Sequence, residues 1–294
     1  MDDWRAVAAQ IATLTGRPFD PAPPRSVGGG CINTASVLSD GARHWFVKQN
    51  TADRLPMFEA EAAGLAEIAA TATIRVPEPL CTGVAGARAY LVMEHLALGG
   101  RGGARGAAEA GRQLAALHRT TRDTFGWGRD NTIGSTPQPN TPNADWVIFF
   151  RDQRLGFQLA LAARKGYGGR LQREGERLLE AFPALIDQAP RPALLHGDLW
   201  AGNLSYDRDG QPVVFDPAVY YGDREADLAM TELFGGFGAD FYAAYQDAWP
   251  LDPGYATRRT LYNLYHILNH LNLFGTGYLA QAEGMIGRLL AELR

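Results

Sequence analysis

Two short runs rich in apolar residues, 34–38 and 44–48, flank Ser39-Asp40-Gly41-Ala42. Such runs read as strands, and an Asp-Gly pair between them signals a hairpin. The pattern then changes. Over residues 57–70, Phe58, Ala62, Leu65, Ala66 and Ile68 recur at near-helical spacing with Glu59, Glu61 and Glu67 between them, which predicts an amphipathic helix. Residues 89–94 return to a strand pattern, and residues 98–106, with five glycines, read as a connector without regular structure. Beyond it, residues 107–120, 144–164, 170–184, 240–249 and much of 258–294 carry helical patterns. Residues 192–198 and 212–217 are short apolar runs, each ending in an Asp beside a turn residue, so both carboxylates are placed where strands emerge. The pattern predicts an α+β chain of two units: a small strand-rich one over 1–97 and a larger, mainly helical one over 98–294.

Composition narrows the classes. The 294 residues are 46% hydrophobic and 20% charged, as in a globular chain, and the net charge of −4 offers no basic face for nucleic acid. The start, Met1-Asp2-Asp3-Trp4-Arg5, lacks the basic head and apolar run of a secretory signal, so a cytoplasmic location is expected. The apolar segment from Leu261 contains Asn263, His266, Asn269, His270 and Asn272, too polar a set for a lipid-facing helix. Cys31 and Cys81 follow no disulfide or zinc spacing, and no repeat of 20–50 residues is present.

Chemistry concentrates in His196-Gly197-Asp198-Leu199-Trp200-Ala201-Gly202-Asn203 and, one strand later, Asp216. The order His-x-Asp-x-x-x-x-Asn, strand, Asp is that of a phosphoryl-transfer site. One carboxylate orients an acceptor hydroxyl and takes its proton, while an amide oxygen and a second carboxylate hold Mg²⁺ against the phosphates of ATP. Asp198 is the expected catalytic residue, and Asn203 and Asp216 are the expected metal ligands. With six His, nineteen Asp and nine Asn in the chain, chance supplies the His-Asp-Asn spacing roughly 0.01 times. The competing reading is a turn in which Asp and Asn act as caps.

A second cluster lies upstream. Lys48 falls on the hairpin's second strand and Glu61 on the following helix, where a carboxylate can hold a lysine against the α- and β-phosphates. Read singly, Lys48 is equally a strand-edge gatekeeper and Glu61 a solvated helix charge. Gly28, Gly29 and Gly30 form a turn whose N–H groups can approach phosphates. The string is neither GxGxxG nor a P-loop, however, and an ordinary flexible turn also fits. Met93, Glu94 and Leu96 precede the connector, the place of the adenine-facing hinge in a two-lobed kinase, although their strand is also apolar enough for the core.

Lys48, Glu61, the 196–203 segment and Asp216 resemble the aminoglycoside-phosphotransferase-like kinases. The strings at 131–140, 146–150 and 216–237 are similar to the fructosamine kinase (ketosamine 3-kinase) branch, over about Ser26 to Phe237. The resemblance implies a two-lobed protein-kinase-like fold and ATP- and Mg²⁺-dependent phosphorylation of the C3 hydroxyl of a ketosamine, such as fructosamine, ribulosamine or erythrulosamine. The substrate would be a free glycated amine or a glycated protein, and the role deglycation. It favours Glu61 over Glu59, because Glu61 opens Glu-Ala-Ala-Gly-Leu. It also implies a redox-sensitive Cys31, with a monomer expected and a Cys31-linked dimer as its oxidised form; a small buried residue is the alternative there.

Departures from protein kinases point to a small acceptor. Asp216 is followed by Pro217-Ala218, no Ala-Pro-Glu follows, and Trp200 stands where serine/threonine kinases carry Lys. Trp200 is read as a flat platform for a sugar or as a core residue. Asp223, Arg224 and Glu225 are expected to bind substrate, or to form a structural ion-pair network. Trp146, Phe149 and Phe150 read as helix core. Two rivals stay open: a phosphotransferase for an aminoglycoside or other small hydroxyl compound, needing an acidic pocket from Asp223, Glu225 and Asp227, and a non-catalytic nucleotide-binding module.

Overall fold

The structure, a computed structural model, describes residues 2–28 and 32–293. Helix α1 (Asp2–Thr15) precedes strands β1 (Arg25–Val27), β2 (Thr34–Ser39) and β3 (His44–Thr51), helix α2 (Leu55–Ala70), and strands β4 (Pro79–Ala85) and β5 (Arg88–Glu94). The strands form one antiparallel sheet in the order β1-β2-β3-β5-β4. Its central hairpin closes with Ser39 opposite His44, where Asp40 accepts the N–H groups of Ala42 and Arg43 at 3.1 and 2.7 Å.

Period-two alternation decides which face each side chain takes. Trp45 and Val47 of β3, with Tyr90 and Val92 of β5, pack under α1 against Val7 and Ile11. Phe46, Leu91 and Met93 have the opposite parity and join Phe58, Leu65 and Ile68 of α2. Lys48 shares the parity of Phe46, so the sheet delivers its ammonium to the α2 side. Helix α1 is absent from the polarity pattern because its apolar stripe is short, little more than Trp4, Val7, Ala8 and Ile11.

The chain then runs into α3 (Gly103–His118), the hairpin β6 (Asn131–Ile133) and β7 (Thr136–Gln138), and helices α4 (Trp146–Phe150), α5 (Phe157–Arg164) and α6 (Arg170–Ala181). Strands β8 (Ala193–Leu195), β9 (Leu204–Tyr206), β10 (Pro212–Val214) and β11 (Tyr220–Gly222) follow, with β8 paired to β11 and β9 to β10. Helices α7 (Glu225–Leu233), α8 (Ala239–Ala248), α9 (Tyr255–Phe274) and α10 (Leu279–Ala291) complete the helical part.

Two predicted elements differ. The helix expected over 144–164 is α4 and α5 joined by a π-helical segment, Arg151–Gly156. That segment seats the fully buried Arg154 between the rings of Phe149 and Tyr220, 4.7 and 4.2 Å from their centres. The glycine connector is shorter than expected, since α3 begins inside it at Gly103. Its glycines serve close approach: a Cβ on Gly100 would fall 1.7 Å from the Asp207 carbonyl oxygen, and one on Gly102 2.4 Å from the Tyr206 ring. Trp146, Phe149 and Phe150 are buried core residues. Among the described residues, no helix is long and apolar enough to cross a membrane.

Candidate active site

Strand β3 brings Lys48, helix α2 brings Glu61, and the loop after β10 brings Asp216. Lys48 Nζ lies 2.5 Å from Glu61 Oε1 and 2.6 Å from Asp216 Oδ1. Burial acts to lower the lysine pKa, but the charges of Glu61 and Asp216 outweigh it and the pKa is raised, so Lys48 stays charged. Glu59 is exposed and has no part in this cluster. Asp216 takes a left-handed backbone, φ 58°, a conformation among the described non-glycine residues shared only with Ala72. Such geometry costs on the order of 1 kcal/mol and persists where surrounding bonds enforce it; here the N–H of Ala218 donates to the His196 carbonyl at 2.8 Å.

The segment after β8 is held from beneath. Burial lowers the His196 pKa, so the ring is neutral; Nε2–H donates to the Phe215 carbonyl at 3.0 Å, and Nδ1 accepts the Asp198 N–H at 3.3 Å. Gly197 sits at φ +82°, with no room for a Cβ, which would meet the Ala218 carbonyl oxygen at 2.0 Å. Asp227 of α7 accepts the N–H groups of His196 and Gly197 at 2.7 and 2.8 Å and lies 3.2 Å from His118 Nε2. Burial acts to raise the Asp227 pKa, but the hydrogen bond and charge of His118 and the other donors hold it below the usual value, so it remains a carboxylate.

Asp198 follows on this braced turn. Burial, then the charge of Asp216, push its carboxyl up to about 7, which suits a group that takes a proton near neutral pH. Asn203 spends its NH₂ on the Asp198 carbonyl (2.8 Å) and carboxylate (3.3 Å), leaving Oδ1 as its ligating atom. The Asn203 carbonyl accepts the Phe215 N–H at 3.1 Å, which sets Asn203 beside Asp216. The Asp216 side chain is 49% exposed, and Lys48 engages only Oδ1. One amide and one carboxylate oxygen fit a hard divalent cation that arrives with its nucleotide and keeps phosphate and water ligands. Among the described residues, no group of three or more His, Cys, Asp and Glu side chains is placed to hold a metal on its own.

The remaining expected site residues divide. Gly28 is exposed beside β1, while Gly29, Gly30 and Cys31 lie outside the described residues. Met93 is buried on the α2 side of the sheet. The Glu94 carboxylate does not face a ligand: it pairs with Arg75, and the Glu94 N–H donates to the Glu78 carbonyl at 2.8 Å. The Leu96 N–H has no backbone acceptor among the described residues. Trp200 is 40% exposed, so it is not a core residue. Its ring lies across Gly202, where a Cβ would come within 2.3 Å, and edge-on to Phe234 at 6.3 Å. Aromatic contact continues from Phe234 to His270 and on to the exposed Phe274, at 5.0 and 5.3 Å.

The substrate role expected for Asp223, Arg224 and Glu225 is corrected by their burial. Asp223 accepts from Tyr262 (2.6 Å) and Gln188 (2.8 Å). Arg224 donates to the carbonyls of Trp249 and Pro250, and Glu225 is locked to Arg258 at 2.6 and 2.9 Å. They form the structural ion-pair network, the other of the two expectations. Sequence reasoning missed a further element: Asn131 and Gln138 donate to the carbonyls of Val219 and Ala218 at 2.8 and 3.1 Å, clamping the loop that carries Asp216. The signal was the Asn131–Asn140 string, too specific for an ordinary hairpin.

The comparisons with known proteins agree with this geometry. The sequence model of the fructosamine kinase family matches residues 3–292. A probable ketoamine kinase of Synechocystis is 51% identical over 98% of this chain and 97% of its own. A chloroplastic protein-ribulosamine 3-kinase of Arabidopsis thaliana is 46% identical over 92% of this chain and 83% of its own. The crystal structure of a candidate fructosamine-3-kinase of Haemophilus somnus superposes with a TM-score of 0.90 at 29% identity, covering 98% of this chain and 97% of that one. An aminoglycoside phosphotransferase, APH(4)-Ia, at 15% identity and a TM-score of 0.64, shares the fold.

Two substitutions test the site. Asp198→Asn is expected to lower turnover by about 10²–10⁴-fold. Since the folded pKa of Asp198 is raised, its charge costs stability above about pH 7 and nothing below the unfolded value. The variant is therefore expected to be about 1–2 kcal/mol more stable at pH 8, a modest figure because the carboxyl keeps some contact with water. The gain fades as pH falls towards 4, and a gain that persists in acid would contradict the assignment. Arg258→Ala leaves buried Glu225 unpaired, so a loss of about 3–5 kcal/mol in thermal or denaturant unfolding is expected; a wild-type melting curve with a raised acceptor KM would restore the substrate role.

Proposed function

We propose that this chain, which belongs to the fructosamine kinase family, transfers the γ-phosphoryl group of ATP to the C3 hydroxyl of a ketosamine. The observation that carries the reading is the Asp198 carboxyl at the mouth of a site completed by Asn203, Asp216 and Lys48, with the exposed face of Trp200 two residues away.

Residues 1–97 supply the nucleotide side and 98–294 the acceptor side. The Leu96 N–H faces the adenine edge, Met93 lies behind the base, Gly28 approaches the phosphates, and Lys48 holds the α- and β-phosphates. Asn203 and Asp216 hold a divalent cation, Mg²⁺ by the hardness of the two oxygens. When bound, that cation would neutralise the negative charge of the phosphates as it shifts during transfer. Asp198 orients the C3 hydroxyl and accepts its proton as the bond from that oxygen to the γ-phosphorus forms and the bond to the β–γ bridging oxygen breaks. ADP and the ketosamine 3-phosphate result. Phosphate on C3 is expelled from the 1,2-enaminol of the adduct far more readily than hydroxide, and water then hydrolyses the C1 imine that is left and releases the amine: the deglycation of amines and proteins.

An aminoglycoside is polycationic and calls for an acidic acceptor pocket. Asp223, Glu225 and Asp227, the carboxylates available for one, are spent on Tyr262, Arg258 and the backbone beneath Asp198. No observation favours a non-catalytic module, since Lys48, Asp198, Asn203 and Asp216 all sit in one site.

ATP consumption with Mg²⁺ and a panel of ribulosamine, erythrulosamine, fructosamine and aminoglycoside acceptors tests the reading. Turnover on ketosamines with product phosphorylated at C3 is expected. Trp200→Ala should raise the acceptor KM roughly tenfold, as loss of one stacking face does, with the KM for ATP unchanged. Turnover on aminoglycosides alone would overturn it.

A further inference from the structure

Helix α2 meets the segment Asp216–Tyr221 at three successive levels of one slanting face. At the first, Glu61 shares Lys48 with Asp216. At the second, Gly64 is pressed against the residues just after Asp216: a Cβ there would lie 3.0 Å from Val219 Cγ2, 3.3 Å from its Cβ and 3.8 Å from Pro217 Cγ. At the third, the Glu67 carboxylate accepts from Tyr221 OH (2.7 Å), Trp127 Nε1 (2.5 Å) and Arg122 Nη2 (2.7 Å). Positions three apart on a helix lie one above another, and the six residues from Glu61 to Glu67 span about 9 Å. The levels therefore run in parallel: 61, 64 and 67 on the helix against 216, 219 and 221 on the loop.

The third level stands on rigid ground. Tyr221 pairs with Leu194 of β8, the strand that leads into His196, and Tyr221 and Gly126 exchange backbone hydrogen bonds at 2.8 and 2.9 Å, which bring Trp127 and Tyr221 to Glu67 together. The Arg122 guanidinium also stacks on the Tyr221 ring at 4.5 Å. A separate strap ties Arg129 Nη1 to the Glu59 carbonyl at 2.9 Å. Glycine in a helix interior is disfavoured against alanine, so Gly64 needs a reason, and contact with Val219 and Pro217 is one.

We infer that Gly64 and Glu67 are positioning residues that zip α2 onto the Asp216 loop, so that the Lys48–Glu61 pair is assembled before nucleotide arrives. The helix then has no swung-out state, and nucleotide affinity is not reduced by a conformational equilibrium. This rests on the kinase reading of the site, and goes beyond it in assigning the resting position of α2 to residues that touch no substrate.

Calorimetric binding of a non-hydrolysable ATP analogue with Mg²⁺ tests it without any acceptor. Glu67→Gln keeps the shape but gives one of the three donors an amide NH₂ to face. Nucleotide affinity should fall roughly tenfold, the order of losing a charged hydrogen bond, while kcat at saturating ATP stays within about twofold because nucleotide reselects the assembled state. In a Glu61→Gln background the same substitution should add less than about a twofold loss, since Glu67 acts through Glu61. Gly64→Ala should weaken nucleotide binding in the same direction despite its better helix propensity. If Glu67→Gln does not fold, Tyr221→Phe removes one donor at no change of charge and should weaken binding about threefold. Unchanged affinity in the folded variants, or a loss that is fully additive with Glu61→Gln, would overturn the zipper. A parent protein that binds no nucleotide would instead sink the kinase reading on which it rests.

Discussion

The site depends on one buried ammonium. Lys48 is fixed between Glu61, thirteen residues away, and Asp216, 168 residues away. A lysine removed from water destabilises the fold by several kcal/mol unless carboxylates compensate, and two do so here. That requirement ties a strand, a helix and a loop from distant parts of the chain into one arrangement. Sheet parity puts the ammonium on the α2 side, helix periodicity puts Glu61 over it, and the left-handed turn at Asp216 presents the second carboxylate. The same turn leaves half of Asp216 open, so the group that neutralises Lys48 is also one that can face a cation.

Around this triad, polar groups are sorted by depth. The carboxylates of Asp223, Glu225 and Asp227 lie within one short stretch, yet all are buried and engaged with Tyr262, Arg258 and the backbone under Asp198. Asp227 braces the turn that carries Asp198, and none of the three side chains is exposed. Asp198 is treated differently: it is desolvated and close to another negative charge, and its raised pKa is a local cost to stability. The Asp227 carboxylate, held by donors on both sides, and the amide clamp of Asn131 and Gln138 supply the bracing that such a residue needs. The proposed acceptor face is a run of aromatic rings from Trp200 through Phe234 and His270 to Phe274, which suits a sugar presented through its C–H groups.

Much of this was legible in the sequence, for reasons tied to particular residues. The hairpin, α2 and the strand-end carboxylates announce themselves because polarity period and turn chemistry act locally, and Lys48, Asp198, Asn203 and Asp216 follow from spacing along those elements, while the family resemblance chose Glu61 over Glu59. The charged residues Asp223, Arg224 and Glu225 could not be resolved locally. Their proximity in sequence to Asp216 resembles a binding loop, and only the tertiary partners Arg258 and Tyr262, more than thirty residues downstream, show that they face inward. The Glu94 carboxylate is likewise paired from another element, by Arg75. The glycines of the connector read as flexibility when they mark close approach to Tyr206 and Asp207. Gly64 and Glu67 looked like routine helix residues because their partners, Val219 and Tyr221, come from the other half of the chain.

Hydrogen–deuterium exchange along α2, with and without ATP analogue and Mg²⁺, tests most directly the claim that the triad is assembled in the resting protein. The account predicts that amides of residues 61–68 exchange as slowly in the free protein as those in the core of α9, and that nucleotide changes them little. Rapid exchange of α2 in the free protein, with protection acquired only on nucleotide binding, would show that the helix docks with its ligand and would contradict the account.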